Sequence, residues 1–145
     1  MRALGLDIGE KTIGVAVTDE LGITAHGVTV IRRKGGLHDL EALARVARET
    51  GADRLVYGYP LQEDGQEGPS ARRARIFAEK AGAHLGLPIE PHDESHSTVA
   101  AEAALLEADV SRKKRKQVID QVAAVVILRD WLACREATRP EEDET

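Results

Sequence analysis

One stretch near the N-terminus constrains the fold more than any other: Leu4-Gly5-Leu6-Asp7-Ile8-Gly9-Glu10-Lys11-Thr12-Ile13-Gly14-Val15-Ala16-Val17. An apolar run carries a carboxylate near its end, Asp7, and a turn at Gly9 leads into a second run that folds back. Ile13, Val15 and Val17 alternate with Gly14 and Ala16, the two-residue period of a strand. The small face of that strand admits close approach by something bulky. An acid on a sheet beside small side chains suits the delivery of a divalent cation to a phosphate. Asp7 alone also reads as an ordinary hairpin acid, since Asp and Gly both favour turns. Its meaning depends on whether the chain supplies further carboxylates for the same spot.

The rest of the pattern gives a single α/β domain. A third strand is expected over 24–32, with Val28, Val30 and Ile31 inward; the short links make the first three strands antiparallel. A helix follows over 38–50, with Leu40, Leu43, Val46 and Ala47 at helical spacing and Gly51 ending it. Residues 54–58 form a short strand, returned in parallel after the helical crossover. A polar, glycine-rich loop, 58–68, leads to a helix starting at Pro69 or Ser70 and ending by Gly86. A strand at 87–92, a helix at 99–106 capped by Ser97 or Thr98, a charged connection at 108–116 and a helix at 117–136 complete the domain. The acidic tail, 137–145, is expected to be disordered. The order implies a mixed five-stranded sheet, three antiparallel strands then parallel ones, flanked by helices. Ligands in such sheets gather beyond the carboxyl ends of parallel strands; Asp7, the loop after Gly58 and the Asp93-Glu94 pair all fall there.

Charge and cysteine content limit the partners. The net charge is −5, but Glu141, Glu142, Asp143 and Glu144 concentrate it in the tail, and the remainder is close to neutral. Within it stand the run Arg112-Lys113-Lys114-Arg115-Lys116 and the clusters Arg32-Arg33-Lys34 and Arg72-Arg73-Ala74-Arg75. Each alone suits a solvated surface; together they can hold a phosphate backbone. Aromatic residues are only 3%, which disfavours a base-stacking platform. The one cysteine, Cys134, cannot form an internal disulfide or a thiolate site by itself. With no signal peptide and no long apolar run, the cytoplasm is the expected compartment and no membrane is expected as partner.

Asp120 is the most informative acid. It lies inside Val118-Ile119-Asp120-Gln121-Val122-Ala123-Ala124-Val125-Val126-Ile127-Leu128, a helix apolar almost all round and therefore expected to be buried. The helix dipole tolerates an acid near a helix start, but a buried carboxylate needs a partner, and a shared cation would supply one. Asp93 and Glu94 read equally as helix caps or, with Asp7 and Asp120, as an oxygen cage for Mg²⁺ or Mn²⁺. His92 and His96 have i, i+4 spacing but span a strand end, a turn and a helix start. A solvated or substrate-contacting role is preferred to zinc there.

Taken together, these motifs resemble the YqgF/RuvX proteins, nucleases of RNase H-like fold related to the RuvC resolvase. The resemblance spans about residues 3–132. It rests on Gly5-Leu6-Asp7-Ile8-Gly9 with Ile13-Gly14-Val15-Ala16-Val17, Gly58-Tyr59-Pro60-Leu61 with Asp64-Gly65, Asp93-Glu94 with Ser97-Thr98, and Val118-Ile119-Asp120 with Ala123-Ala124. It implies a nuclease domain over 1–136, with Asp7, Glu94 and Asp120 as catalytic metal ligands, Asp93 beside them, and two Mg²⁺ or Mn²⁺ ions. It implies an endonuclease acting on structured RNA near the 5′ end of pre-16S rRNA, on four-way DNA junctions, or on both, with ribosomal RNA ranked first. Lys11, Arg72, Arg73, Arg75 and the run Arg112, Lys113, Lys114, Arg115, Lys116 are the candidate nucleic-acid contacts. A homodimer suits a junction, which presents two equivalent strands. The sequence departs from the family at Ser95, where Arg is usual. A phosphate contact or ion pair at that position is then missing or supplied by Arg72, Arg73 or Lys11. This bears on substrate affinity more than on the metal cage and gives some weight to one alternative, a non-catalytic RNase H-like binder. A second alternative, an actin-like nucleotide-binding fragment, shares the first motif but needs a second lobe that 145 residues do not accommodate.

Overall fold

The computed structural model describes residues 1–93 and 112–138, with side chains described at 1–93 and 121–135. The strands are β1 (Ala3–Ile8), β2 (Thr12–Thr18), β3 (Ala25–Arg32), β4 (Arg54–Gly58) and β5 (Ile89–His92). The helices are α1 (Gly36–Thr50), α2 (Pro69–Leu85) and α3 (Arg112–Thr138). One sheet has the order β3-β2-β1-β4-β5. β3-β2-β1 is antiparallel, and β4 and β5 extend it in parallel. This is the expected mixed sheet. The helix expected over 99–106 lies outside the described residues, as does the tail from 139.

Strand alternation divides the interior into two layers. Leu4, Leu6, Ile8, Ile13, Val15 and Val17 face α1 and α2, where they meet Leu43, Val46, Ala74, Phe77 and Ala78. Each large aliphatic buried there contributes about 1.5–3 kcal/mol. Ala3, Ala16, Ala25 and Val56 face the other way, against Ala124, Ile127, Leu128 and Trp131 of α3. The small face of β1 and β2 therefore serves first as the seat of a helix. A Cβ on Gly5 would lie 2.4 Å from Leu128 Cγ and 3.0 Å from the Ala124 carbonyl oxygen. The Ala123-Ala124 pair gives α3 a low surface, and Gly5 removes the last obstacle on β1.

Two local readings change. A bulge between Val15 and Ala16 shifts the β2–β3 register, so that Thr29 pairs with Val15 and Gly27 with Ala16. The extra residue reverses the side-chain parity of β3. Ile31 is buried with the α1/α2 layer, Ala25 joins the α3 layer, and Val28 and Val30 are half-buried. The basic run 112–116 is the first part of α3 rather than a connection before it. Five cations carry no apolar period to reveal a helix, although Lys and Arg are good helix formers. Gly51 and Gly86 close α1 and α2 in the left-handed conformation, as their positions predict.

Candidate active site

Asp7 lies two residues beyond Gly5, on the same, α3-facing side of β1, and is half-buried. Its partner across β2 is Gly14. On the other side, Leu6 pairs with Tyr57, so the next residue of β4 is Gly58, and Gly58 pairs with His92 of β5. Asp7 thus has glycine on both flanking strands, and the end of β5 continues the row into exposed Asp93. The sheet brings Asp7 and the start of the Asp93-Glu94 pair to one edge, as the strand order predicts. Glu94 and Ser95 lie outside the described residues. Position 120 is on α3, one helical turn before Ala124, whose carbonyl meets Gly5.

The turn after Asp7 is braced from behind. Gly9 N–H donates to the Thr12 carbonyl at 2.9 Å. Arg33 Nη1 donates to the Gly9 carbonyl at 2.9 Å and Nε to Asp39 at 3.2 Å. The Arg33 guanidinium also stacks 5.0 Å from the centre of the Phe77 ring. Asp39 is 1% exposed and also accepts from the backbone N–H groups of Lys34 and Gly35. Burial opposes its ionisation, but those N–H groups, His38 and Arg33 outweigh it and hold its pKa below the ordinary 3.8. The brace went unread in the sequence, where Arg33 figured as one of three surface cations. The available signal was an acid four residues after Gly35, at a helix start.

A testable consequence concerns pH. A lowered carboxylate pKa stabilises the fold fully above the unfolded value, and that stability is lost as pH falls through the folded value. Asp39→Asn is expected to lose about 2–3 kcal/mol at pH 7, because it leaves the partly buried Arg33 without its carboxylate. Urea unfolding at pH 7 and at lower pH checks this: the gap from wild type should narrow with acid.

Among the candidate nucleic-acid contacts, Lys11 is exposed in the β1–β2 turn and Arg72 is exposed on the first turn of α2. Arg73 approaches Glu10 at 3.9 Å, which sets the start of α2 beside the turn after Asp7. Arg75 is engaged otherwise. It binds both oxygens of Glu67, at 2.7 and 3.0 Å, and reaches Glu79. Glu67 also accepts from the Tyr59 hydroxyl at 2.6 Å. The Arg75 and Tyr59 hydrogen bonds pull the Glu67 pKa down to about 2. This triad holds the loop after Gly58 against α2, with the Arg75 side chain still partly exposed. For 112–116 the helical backbone alone is described. Among the described residues, no helix is long and apolar enough to cross a membrane.

Known proteins agree with this architecture. A model of the RuvX family, described as Holliday junction resolvase, matches residues 1–134. A protein of Symbiobacterium thermophilum named as a pre-16S rRNA nuclease is 52% identical over 141 residues, covering 97% of this chain and 98% of its own. One of Myxococcus xanthus with the same name is 54% identical over 140 residues, covering 97% and 91%. Among solved structures, T. thermophilus RuvC bound to a Holliday junction substrate aligns with TM-score 0.59 at 16% identity, over 95% of this chain and 98% of its own. The fowlpox virus Holliday junction resolvase aligns with TM-score 0.56 at 12% identity, over 92% and 99%. At those identities the two structures establish the shared fold. The extent of the family match and the identity to full-length relatives establish that the chain belongs to the RuvX family.

Proposed function

We propose that the protein is a metal-dependent endonuclease that hydrolyses phosphodiester bonds in structured nucleic acid. Asp7, Glu94 and Asp120 would hold two Mg²⁺ or Mn²⁺ ions, with Asp93 beside them. The observation that carries this reading is the setting of Asp7: a half-buried carboxylate at a parallel strand's carboxyl end, with glycine opposite on β2 and glycine next on β4. The donors are all oxygens, the set that hard divalent ions prefer, so the residues fit the ions. When bound, such ions activate a water and stabilise the leaving oxygen. The rest falls to the chain. Asp7 offers oxygens already stripped of part of their water. Gly14 and Gly58 keep the strand surface low beside it. Lys11, Arg72 and Arg73 supply positive charge at the rim, and 112–116 supply it along α3.

Precursor 16S rRNA is the preferred substrate, because the relatives at 52% and 54% identity carry that name. The four-way junction follows from the family description, and a homodimer would suit its two equivalent strands. Cleavage of labelled pre-16S rRNA and of a four-way junction, each with Mn²⁺ and with EDTA, tests the reading. Metal-dependent cutting of either substrate supports it and names the substrate. Binding without cutting under every condition would leave the non-catalytic binder, the reading that Ser95 favours.

The basic run has its own expected result. Each phosphate contact adds about 0.7–0.9 to the slope of log affinity against log salt. Replacing Lys113, Lys114 and Lys116 with Gln is expected to lower that slope by about 2, measured by filter binding across a salt series.

A further inference from the structure

His92 ends β5, and its side chain is turned to α3, where Nε2 lies 2.6 Å from Asp130 Oδ2. Two residues earlier, Glu90 accepts a hydrogen bond from the Trp131 indole N–H. Alternate residues of β5 are thus clasped by consecutive residues of α3. Cys134 follows Asp130 by one helical turn on the same face, and it is exposed. One donor atom each from His92, Asp130 and Cys134 lie within 4.8 Å of one another. The strand pairs with β4 in the sheet and the helix packs against it.

We propose that His92, Asp130 and Cys134 form a site for one transition-metal ion of the Zn²⁺ class, separate from the all-oxygen set around Asp7. Imidazole, carboxylate and thiolate are a donor set that Zn²⁺ accepts in four-coordinate geometry, and three protein donors leave one position for water. A thiolate also discriminates against Mg²⁺ and Mn²⁺, so the two sites would sort metals by chemistry. In a tetrahedral site with bonds of about 2.0–2.3 Å, donor atoms stand about 3.3–3.6 Å apart. The His92–Asp130 pair must therefore open by somewhat under ~1 Å, and the thiol, which lies within 4.8 Å of the other donors, must close by up to about 1.2–1.5 Å. Asp130 and Cys134 are both exposed, and the adjustment would fall on their side chains. The spacing of His92 and His96 reads in the sequence as a solvated or substrate-contacting pair rather than a zinc site; the fold sets His92 instead beside Asp130 and Cys134, about forty residues away. Occupancy would fasten the strand end that leads directly into Asp93 onto α3.

Co²⁺ titration of the reduced, full-length protein tests the proposal. Cys134 is the sole cysteine, so a thiolate-to-cobalt charge-transfer band reports on it alone. The expected result is one band-forming Co²⁺ per chain, displaced by Zn²⁺. The band should be lost in Cys134→Ser and retained in Asp7→Asn. Affinity should fall by at least the roughly 10–100-fold that disturbed ligation costs in His92→Ala and Asp130→Asn. Circular dichroism shows which variants fold; if Asp130→Asn does not, the exposed Cys134→Ser and the His92→Ala affinity carry the comparison. Absence of the band in wild type would overturn the site. So would a band of unchanged affinity in the folded His92 or Asp130 variants, which would mark a thiol binding cobalt by itself.

Discussion

Asp7→Asn is expected to lower metal-dependent cleavage by on the order of a thousandfold or more while leaving the fold intact. A charged ligand of the metal ions contributes several kcal/mol to the transition state, and each 1.36 kcal/mol is tenfold in rate. Asn keeps the shape of the side chain but removes the charge and one of the two oxygen donors. Asp7 is half-buried at the end of β1, opposite Gly14, and Asn has nearly the same size and shape. Single-turnover cleavage with Mn²⁺, beside a thermal melt, separates chemistry from stability. Cleavage undiminished in a folded Asp7→Asn protein would reject the site assignment.

The second large effect is on packing. Gly5→Ala is expected to destabilise the protein by about 2–3 kcal/mol, at the upper end for one methyl group in a filled core. The added carbon meets Leu128 Cγ at 2.4 Å and the Ala124 carbonyl at 3.0 Å. Leu128 is fully buried. Leu128, and the helix that carries it, must shift away from β1 to admit the methyl, so cleavage should also fall at temperatures where the variant is folded. Leu128→Ala alone should cost about 2–5 kcal/mol. Combined with Gly5→Ala it should cost less than the two losses together, since the shorter side chain relieves most of the clash. Denaturant melts of the four proteins measure that coupling; strict additivity would place α3 elsewhere on the sheet.

How much of this was legible depended on whether the signal was local. β1, β2, α1, β4 and α2 were readable because alternation, helical spacing and terminal glycines lie within a few residues. The bulge in β3 was not, because its residues alternate no differently from those of a regular strand. The true start of α3 was hidden by five cations without an apolar beat. For the site, Asp7 and Asp93 could be brought to one edge from strand order alone, since parallel strands end together. The Arg33–Asp39 brace, the grip of Glu67 on Arg75 and Tyr59, and the joining of His92 to Asp130 required the fold. Each is a choice of partner among many charged residues, and composition does not make that choice. Arg75, which reads in the sequence as a phosphate contact, is engaged by two carboxylates.

The most direct test is to locate the ions. Anomalous diffraction from Mn²⁺-soaked crystals of catalytically competent protein should show two peaks about 3.5–4 Å apart. Both should lie within coordinating distance of oxygens from Asp7, Glu94 and Asp120. Manganese bound elsewhere, with those three carboxylates too far apart to share an ion while the crystals still cut substrate, would contradict the proposal.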